Sequence, residues 1–190
     1  MLAGLASVES MIVNAVSHAV DTVLDRTVAP GYSRIGLAVR RRLPGWPADP
    51  QPGDLAGRSV AVTGPTSGLG TATAEGVVAL GGHVHLVVRD VDKGERLAAD
   101  LRGRHPGAEV DVWRCDVGDL DDVRRFAREL VASGTRLDAL VHNAGSMPPE
   151  RTVSPQGHEL TMAVHVLGPV VMTEELLPAL RPGARVVLVT

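Results

Sequence analysis

Arg58 to Gly70 reads RSVAVTGPTSGLG, in which a short β-rich apolar run, Ser59 to Val62, stops at Thr63 and three glycines follow in the pattern T-G-x-x-x-G-x-G. Few local structures suit such a stretch. Gly64, Gly68 and Gly70 can take positive φ and carry no Cβ to hold the backbone away from a ligand. Beyond them Ala72, Ala74, Val77, Val78 and Leu80 recur at helical spacing. A buried strand therefore runs into a tight turn, and a helix starts on that turn. The first turn of a helix has N–H groups without intrahelical partners and the positive end of the helix dipole, so the groups that fit there are the oxygens of a pyrophosphate. An ordinary glycine-rich strand-to-helix connection would have the same local appearance, and the residues downstream decide between the two.

Those residues repeat one unit. Gly82 to Val88 reads as a second strand, Lys93 to Arg102 as a helix, Glu109 to Cys115 as a third strand, and Asp119 to Ala132 as a helix opened by an aspartate cap. Leu137 to His142 reads as a fourth strand, His158 to Leu180 as a long helix, and Arg185 to Thr190 as a fifth strand. Strands alternating with helices over short loops imply right-handed crossovers, a parallel sheet covered on both faces, and ligands at the carboxyl ends of the strands. The expected fold is α/β, a Rossmann-type doubly wound parallel sheet of order 3-2-1-4-5 with an N-terminal helical extension.

Over residues 54 to 190 the chain resembles the short-chain dehydrogenase/reductases. The likeness rests on TGPTSGLG (Thr63 to Gly70), VRD (Val88 to Asp90), CDV (Cys115 to Val117), HNAG (His142 to Gly145) and HVLGPVVMT (His165 to Thr173), whose order and spacing agree together. The stretches PGYSRIG and DLAGRSVAVTG are most similar to the dehydrogenase/reductase member 12 type within that family. The resemblance implies that Gly64, Ser67, Gly68, Leu69 and Gly70 surround the cofactor's phosphates, with the Ser67 hydroxyl and the Leu69 N–H as donors. It implies that Asp116 and Val117 hold the adenine, against the plainer reading that Asp116 helps to cap the next helix. It implies too that Asn143, Ala144 and Gly145 lie along the nicotinamide ribose, with Asn143 also bracing the fourth strand against the glycine loop. Val88 offers no acidic acceptor for ribose hydroxyls, whereas Arg89 supplies a charged planar fork that suits a 2′-phosphate, so NADP(H) is expected in preference to NAD(H).

In this family a tyrosine moves the proton while hydride passes between nicotinamide and a carbonyl or alcohol carbon, and a lysine four residues later lowers the tyrosine's pKa. The chain has a single tyrosine, Tyr32, ahead of the first strand, and its single lysine is Lys93. They cannot form that pair. The family's serine falls after the fifth strand, where the sequence stops at Thr190. The apolar fifth strand would also leave an open hydrophobic edge. The expectation is the cofactor-binding front part of a longer enzyme, with a catalytically inactive nucleotide-binding or interaction module as the alternative. His165 stands where the family has an asparagine. Pro169, four residues on, has no N–H to bond the His165 carbonyl, so His165 is expected to keep the backbone role and lose the side-chain one.

Ahead of the fold, Leu5, Val8, Ile12, Val16, Ala19, Val23 and Leu24 form one helical stripe opposite Asn14, His18, Asp21 and Asp25. Residues 1–43 therefore read as an amphipathic helical extension, 44–53 as a Pro/Gly-rich linker and 54–190 as the dinucleotide-binding domain. The extension suits packing or homo-oligomer formation better than peripheral membrane contact, since its polar face is more acidic than basic. A net charge of −3 gives no reason to expect nucleic acid. The single cysteine, Cys115, excludes an internal disulfide, and with no evident signal peptide the expected location is cytoplasmic. His83 and His85 share a strand face, but no third ligand follows along the chain, so no metal is expected. The expected substrate is a small alcohol or carbonyl compound.

Overall fold

A computed structural model describes residues 16–23, 26, 33–44 and 46–189. The chain folds as two compact units, Met1–Asp49 and Pro50–Thr190. In the first, residues 16–23 are helical and α1 (Arg34–Arg40) follows, capped by Ser33, whose hydroxyl accepts the Gly36 N–H. Arg40 Nε pairs with Asp21 Oδ1 at 2.7 Å within this unit. Leu5, Val8, Ile12 and Leu24 of the expected stripe lie outside the described residues. Among the described residues no helix is long and apolar enough to cross a membrane. The expected linker does not end at Gly53. Gly53 and Leu55 both donate their N–H groups to the Leu80 carbonyl at 3.0 Å, which ties Gly53 into the second unit.

The second unit alternates β1 (Ser59–Thr63), α2 (Gly68–Ala79), β2 (His83–Val88), α3 (Val91–Arg104), β3 (Val110–Arg114), α4 (Leu120–Ala132) and β4 (Leu137–His142). A helix then begins as α5 (Leu160–Met162), widens into a π segment (Ala163–Leu167), continues as α6 (Gly168–Leu176) and gives way to β5 (Leu180–Leu188). All pairings are parallel and the order is β3-β2-β1-β4-β5. One face of the sheet packs Val60, Val62, Val84, Leu86 and Val110 against Ala74, Val77 and Val78 of α2 and Ala98 and Leu101 of α3. The other packs Ala61, Val87 and Leu140 against Val123, Phe126 and Leu130 of α4 and Met172 and Leu176 of α6. β1 is buried along its whole length, as a central parallel strand between two helical layers must be.

Three sequence expectations differ from what is seen. The helix expected over His158 to Leu180 spans Leu160 to Leu176 and is broken by the π segment; Pro178 lacks the N–H needed to extend it. The fifth strand begins at Leu180 rather than Arg185, because Leu180 pairs with Leu137 before residues 181–184 bulge and Arg185 rejoins the ladder at Ala139. Gly183, at φ +80°, makes that bulge possible. Thr190 lies outside the described residues. Thirdly, a third metal-binding type of side chain does stand beside the histidine pair: the β2–β3 register sets Asp111 directly opposite His85. Among the described residues β5 pairs only with β4, and Val186, Val187 and Leu188 are exposed.

His142, at the end of β4, is buried; its Nε2 lies 2.9 Å from Thr173 Oγ1, while Nδ1 has no hydrogen-bond partner. Burial pushes its pKa down to about 4. The unfolded chain thus binds more protons than the folded one between about pH 6.5 and pH 4, so this histidine's contribution is complete above that window and is lost as pH falls through it. In urea unfolding, the wild type is expected to lose on the order of 1–2 kcal/mol more than His142→Gln between pH 7 and pH 5.

Candidate cofactor site

At the carboxyl ends of β1 and β4 the two strands are joined by one hydroxyl. Thr63 Oγ1 accepts the backbone N–H groups of Asn143 and Ala144, each at 3.0 Å, and donates to the Val141 carbonyl at 3.4 Å. Asn143 Nδ2 returns two bonds, to the carbonyls of Thr63 (3.1 Å) and Gly64 (3.0 Å). The start of the glycine loop and the start of the loop after β4 are therefore held as one piece. Gly64 sits at φ +61°, and a Cβ there would lie 2.8 Å from Ala144 Cα. A Cβ on Gly70 would lie 2.3 Å from the Gly64 carbonyl oxygen and 2.4 Å from Asn143 Nδ2. Both positions need glycine because backbone meets backbone there.

α2 rises from this loop. Its N-cap is Ser67, whose side chain makes no capping hydrogen bond. A serine at that position ordinarily accepts an N–H of the first turn, so here both the hydroxyl and the amides of Gly68, Leu69 and Gly70 are left for a ligand. Thr71 instead turns its hydroxyl back to the Pro65 carbonyl at 2.8 Å, closing the loop.

A cleft of about 570 Å³ opens above this surface. Gly64, Ser67, Gly68, Leu69, Arg89, Asp116, Val117, Asn143, Ala144 and Gly145 all line it. Gly70 stands behind the loop as a buried support. His165 is likewise not a lining residue, but its Nε2 accepts the N–H of Ser146, which is one, at 3.1 Å. The imidazole expected to be without a role thus pins the loop after Gly145, while the π segment that carries it places the Gly168 N–H on the Ala163 carbonyl.

Arg89 follows β2 and lines the cleft with no carboxylate partner among the described residues. The neighbouring Asp90 is engaged elsewhere: it caps α3 through the Lys93 N–H at 3.1 Å and lies 3.6 Å from Lys93 Nζ. That N–H, first of all, holds the Asp90 carboxyl below the usual carboxylate range. Asp116 is used locally, its Oδ1 accepting the Gly118 N–H at 2.9 Å, and the cap of α4 is Asp119, which accepts from Asp121 and Asp122. The capping role that Asp116 could have had is therefore filled.

Asp122 is a supporting residue that sequence reading passed over. It is buried, accepts the Asp116 N–H at 2.6 Å through Oδ2, and pairs through Oδ1 with Arg114 and with Arg125 Nε at 2.8 Å. An acidic residue in the first turn of a helix is ordinary for dipole reasons alone, and its backward reach to the loop after β3 leaves no mark in the sequence. Cys115 lines the same wall, but burial, aided by Asp122, pushes its thiol up to about 12, so it is no nucleophile at neutral pH.

Comparison with known proteins agrees with this geometry. Residues 58–190 match the family model described as short chain dehydrogenase. Retinol dehydrogenase 13 of Mus musculus is 35% identical over 137 residues, covering 72% of this chain and 41% of that protein. Dehydrogenase/reductase SDR family member 13 of Homo sapiens is 40% identical over 139 residues, covering 72% and 36%. Among solved structures, a putative uncharacterized protein from Mycobacterium paratuberculosis superimposes with a TM-score of 0.60 at 36% identity, covering 72% of this chain and 47% of that one. A metagenomic short-chain oxidoreductase in complex with NADP gives 0.57 at 30% identity, covering 66% and 57%. The chain belongs to the short-chain dehydrogenase/reductase family, a family of oxidoreductases that use NAD(P). It spans about two-fifths of the length of the curated relatives it matches.

Two substitutions test the construction of the site. Gly70→Ala, which forces a Cβ onto the Gly64 carbonyl, is expected to cost about 1–3 kcal/mol in denaturant unfolding. Asp122→Ala leaves the Asp116 N–H without its acceptor and should cost about 1–3 kcal/mol by the same measurement.

Proposed function

We propose that this chain supplies the NADP(H)-binding part of an oxidoreductase that moves hydride between the nicotinamide and a small alcohol or carbonyl compound. The observation that carries the cofactor reading is the uncapped Ser67 beside the first-turn amides of α2, because that arrangement offers a hydroxyl and several N–H donors to a diphosphate. On this reading Gly64, Ser67, Gly68 and Leu69 take the phosphates with Gly70 backing the loop, Asp116 and Val117 the adenine, and Asn143, Ala144 and Gly145 the nicotinamide ribose. His165 positions the last of these through Ser146. A dinucleotide fits the cleft in volume and in the chemistry of its walls.

Preference for NADP(H) over NAD(H) is supported by Arg89, which lines the cleft, while the adjacent Asp90, also on its wall, is engaged by Lys93. Retinol dehydrogenase 13 is named for a lipophilic alcohol, which agrees with an alcohol or carbonyl substrate here. When bound, the cofactor supplies the hydride. The residues of this chain bind and orient it, and in the family the proton moves through a tyrosine and lysine whose pairing this chain lacks: its tyrosine is Tyr32 and its lysine, Lys93, lines the cleft beside Arg89. A second reading is a nucleotide-binding module without turnover.

Fluorescence titration of the full chain with NADPH and NADH tests the cofactor reading. NADPH should bind more tightly than NADH, and Arg89→Ala should weaken NADPH by roughly 10- to 100-fold while leaving NADH within a few-fold. No saturable signal from either nucleotide would overturn the cofactor reading.

A further inference from the structure

The amino end of β2, opposite the cleft, presents a second set of converging side chains. His83 and His85 are two residues apart and share a sheet face, and Asp111 of β3, the register partner of His85, emerges on the same face. His83 Nε2 lies 2.9 Å from Asp111 Oδ2, and His85 Nδ1 lies 3.3 Å from the same oxygen. The three donor atoms all lie within 4.8 Å of one another, and this is the one such group among the described residues. Three ligands bound tetrahedrally at ~2.0–2.2 Å stand ~3.4 Å apart, so the spacing already present is close to that of a filled site.

The outer nitrogens of both rings are arranged for the same purpose. His83 Nδ1 is 3.4 Å from Glu109 Oε2, and His85 Nε2 is 2.7 Å from Ser59 Oγ. On His85 the Trp113 N–H at Nδ1 leaves the ring proton on Nε2, toward Ser59, and the Nδ1 lone pair inward; on His83 the nearer carboxylate is Asp111, at Nε2, so a metal bound there would shift the ring proton to Nδ1, where Glu109 can accept it, the way metal-ligating histidines are usually held. The inward pair on His85 then faces a carboxylate oxygen at 3.3 Å, two electron-rich atoms that a cation between them would reconcile. Trp113 Nε1–H, 3.1 Å from His85 Nδ1, occupies that lone pair in the metal-free protein and has to turn aside when a metal binds. A recess of about 260 Å³ reaches the two imidazoles from the side of Ser59 and Glu109, with Arg58, Arg136 and Arg181 also on its walls, and Asp111 lies outside it. His85 is buried and Asp111 half exposed, so one side of the cluster faces water.

We propose that His83, His85 and Asp111 form a binding site for a divalent transition-metal ion, best suited to Zn²⁺, with Glu109 and Ser59 orienting the imidazoles and water at the fourth position. The ion would link β2 to β3 at the end of the sheet away from the glycine loop. The site does not depend on which nucleotide, if any, the cleft holds.

Calorimetric titration of the chelator-treated full chain with Zn²⁺ should show one saturable equivalent, and Co²⁺ should give the visible absorption of a four-coordinate ion. In a Trp46→Phe background, which leaves Trp113 as the one indole, Zn²⁺ should change the fluorescence with the same midpoint. His83→Gln and Asp111→Asn should each weaken binding by at least about tenfold, and Glu109→Gln by about tenfold. Thermal melts check folding; should His83→Gln unfold, the half-exposed Asp111 decides through Asp111→Asn. Absence of a saturable equivalent, or Zn²⁺ binding unchanged in Asp111→Asn, would overturn the site.

Discussion

The Thr63 hydroxyl, with two backbone N–H groups on it, is the contact on which the functional end of this protein depends. β1 and β4 are neighbours in the sheet, yet the chain leaves β1 toward β2 on one side and returns to β4 on the other. At such a switch point the connections diverge and a crevice opens at the carboxyl ends. The hydroxyl bridges the divergence, Asn143 spans it a second time through Nδ2, and the glycine loop is thereby placed against Ala144 closely enough to exclude a Cβ at Gly64. Loss of that bridge would leave two half-buried amides without acceptors, a cost that falls on both loops at once.

Around this fixed junction the charges are sorted by hydrogen bonding rather than by composition. Asp90 and Asp122 are both acidic and both near the cleft, but Asp90 is committed to the first turn of α3 and Asp122 to Arg114, Arg125 and the Asp116 amide. Among the groups lining the cleft, Arg89, the Ser67 hydroxyl and the first-turn amides of α2 are donors without such a commitment, while Asp90 and Asp116 line it with hydrogen bonds already made. A chain of slightly acidic net charge thus presents donors where an anionic ligand would lie. The π segment adds a related device: by widening one helical turn it sets His165 against Ser146, so that the loop after β4 is held from below as well as from Thr63.

Much of this was legible in the chain because its signals are local. The strand at Ser59–Thr63, the glycines after it, the Asp119 cap and the alternation of strands with helices follow from apolar periodicity and from residues whose backbone preferences are strong. The likeness of five short motifs in the right order added the family. The features that were not legible involve residues brought together across the fold. Asp122 looks like any acidic first-turn residue until the loop after β3 lies on it. His165 looks like an idle substitution until Ser146 is placed against its ring. Leu180 reads as the last residue of a helix, and becomes the first of a strand because Leu137 is there to pair with it.

The sequence alone therefore determined the order of elements, the parallel sheet and the glycine-rich turn, since each is written in residues within a few positions of one another. Tertiary structure alone decided which hydrogen bonds engage the acidic groups at the cleft, which residues brace its walls, and that Asp111 stands beside His83 and His85. The reason is register: a parallel ladder sets side chains from distant parts of the chain opposite one another, and no spacing along the sequence encodes which pair will meet.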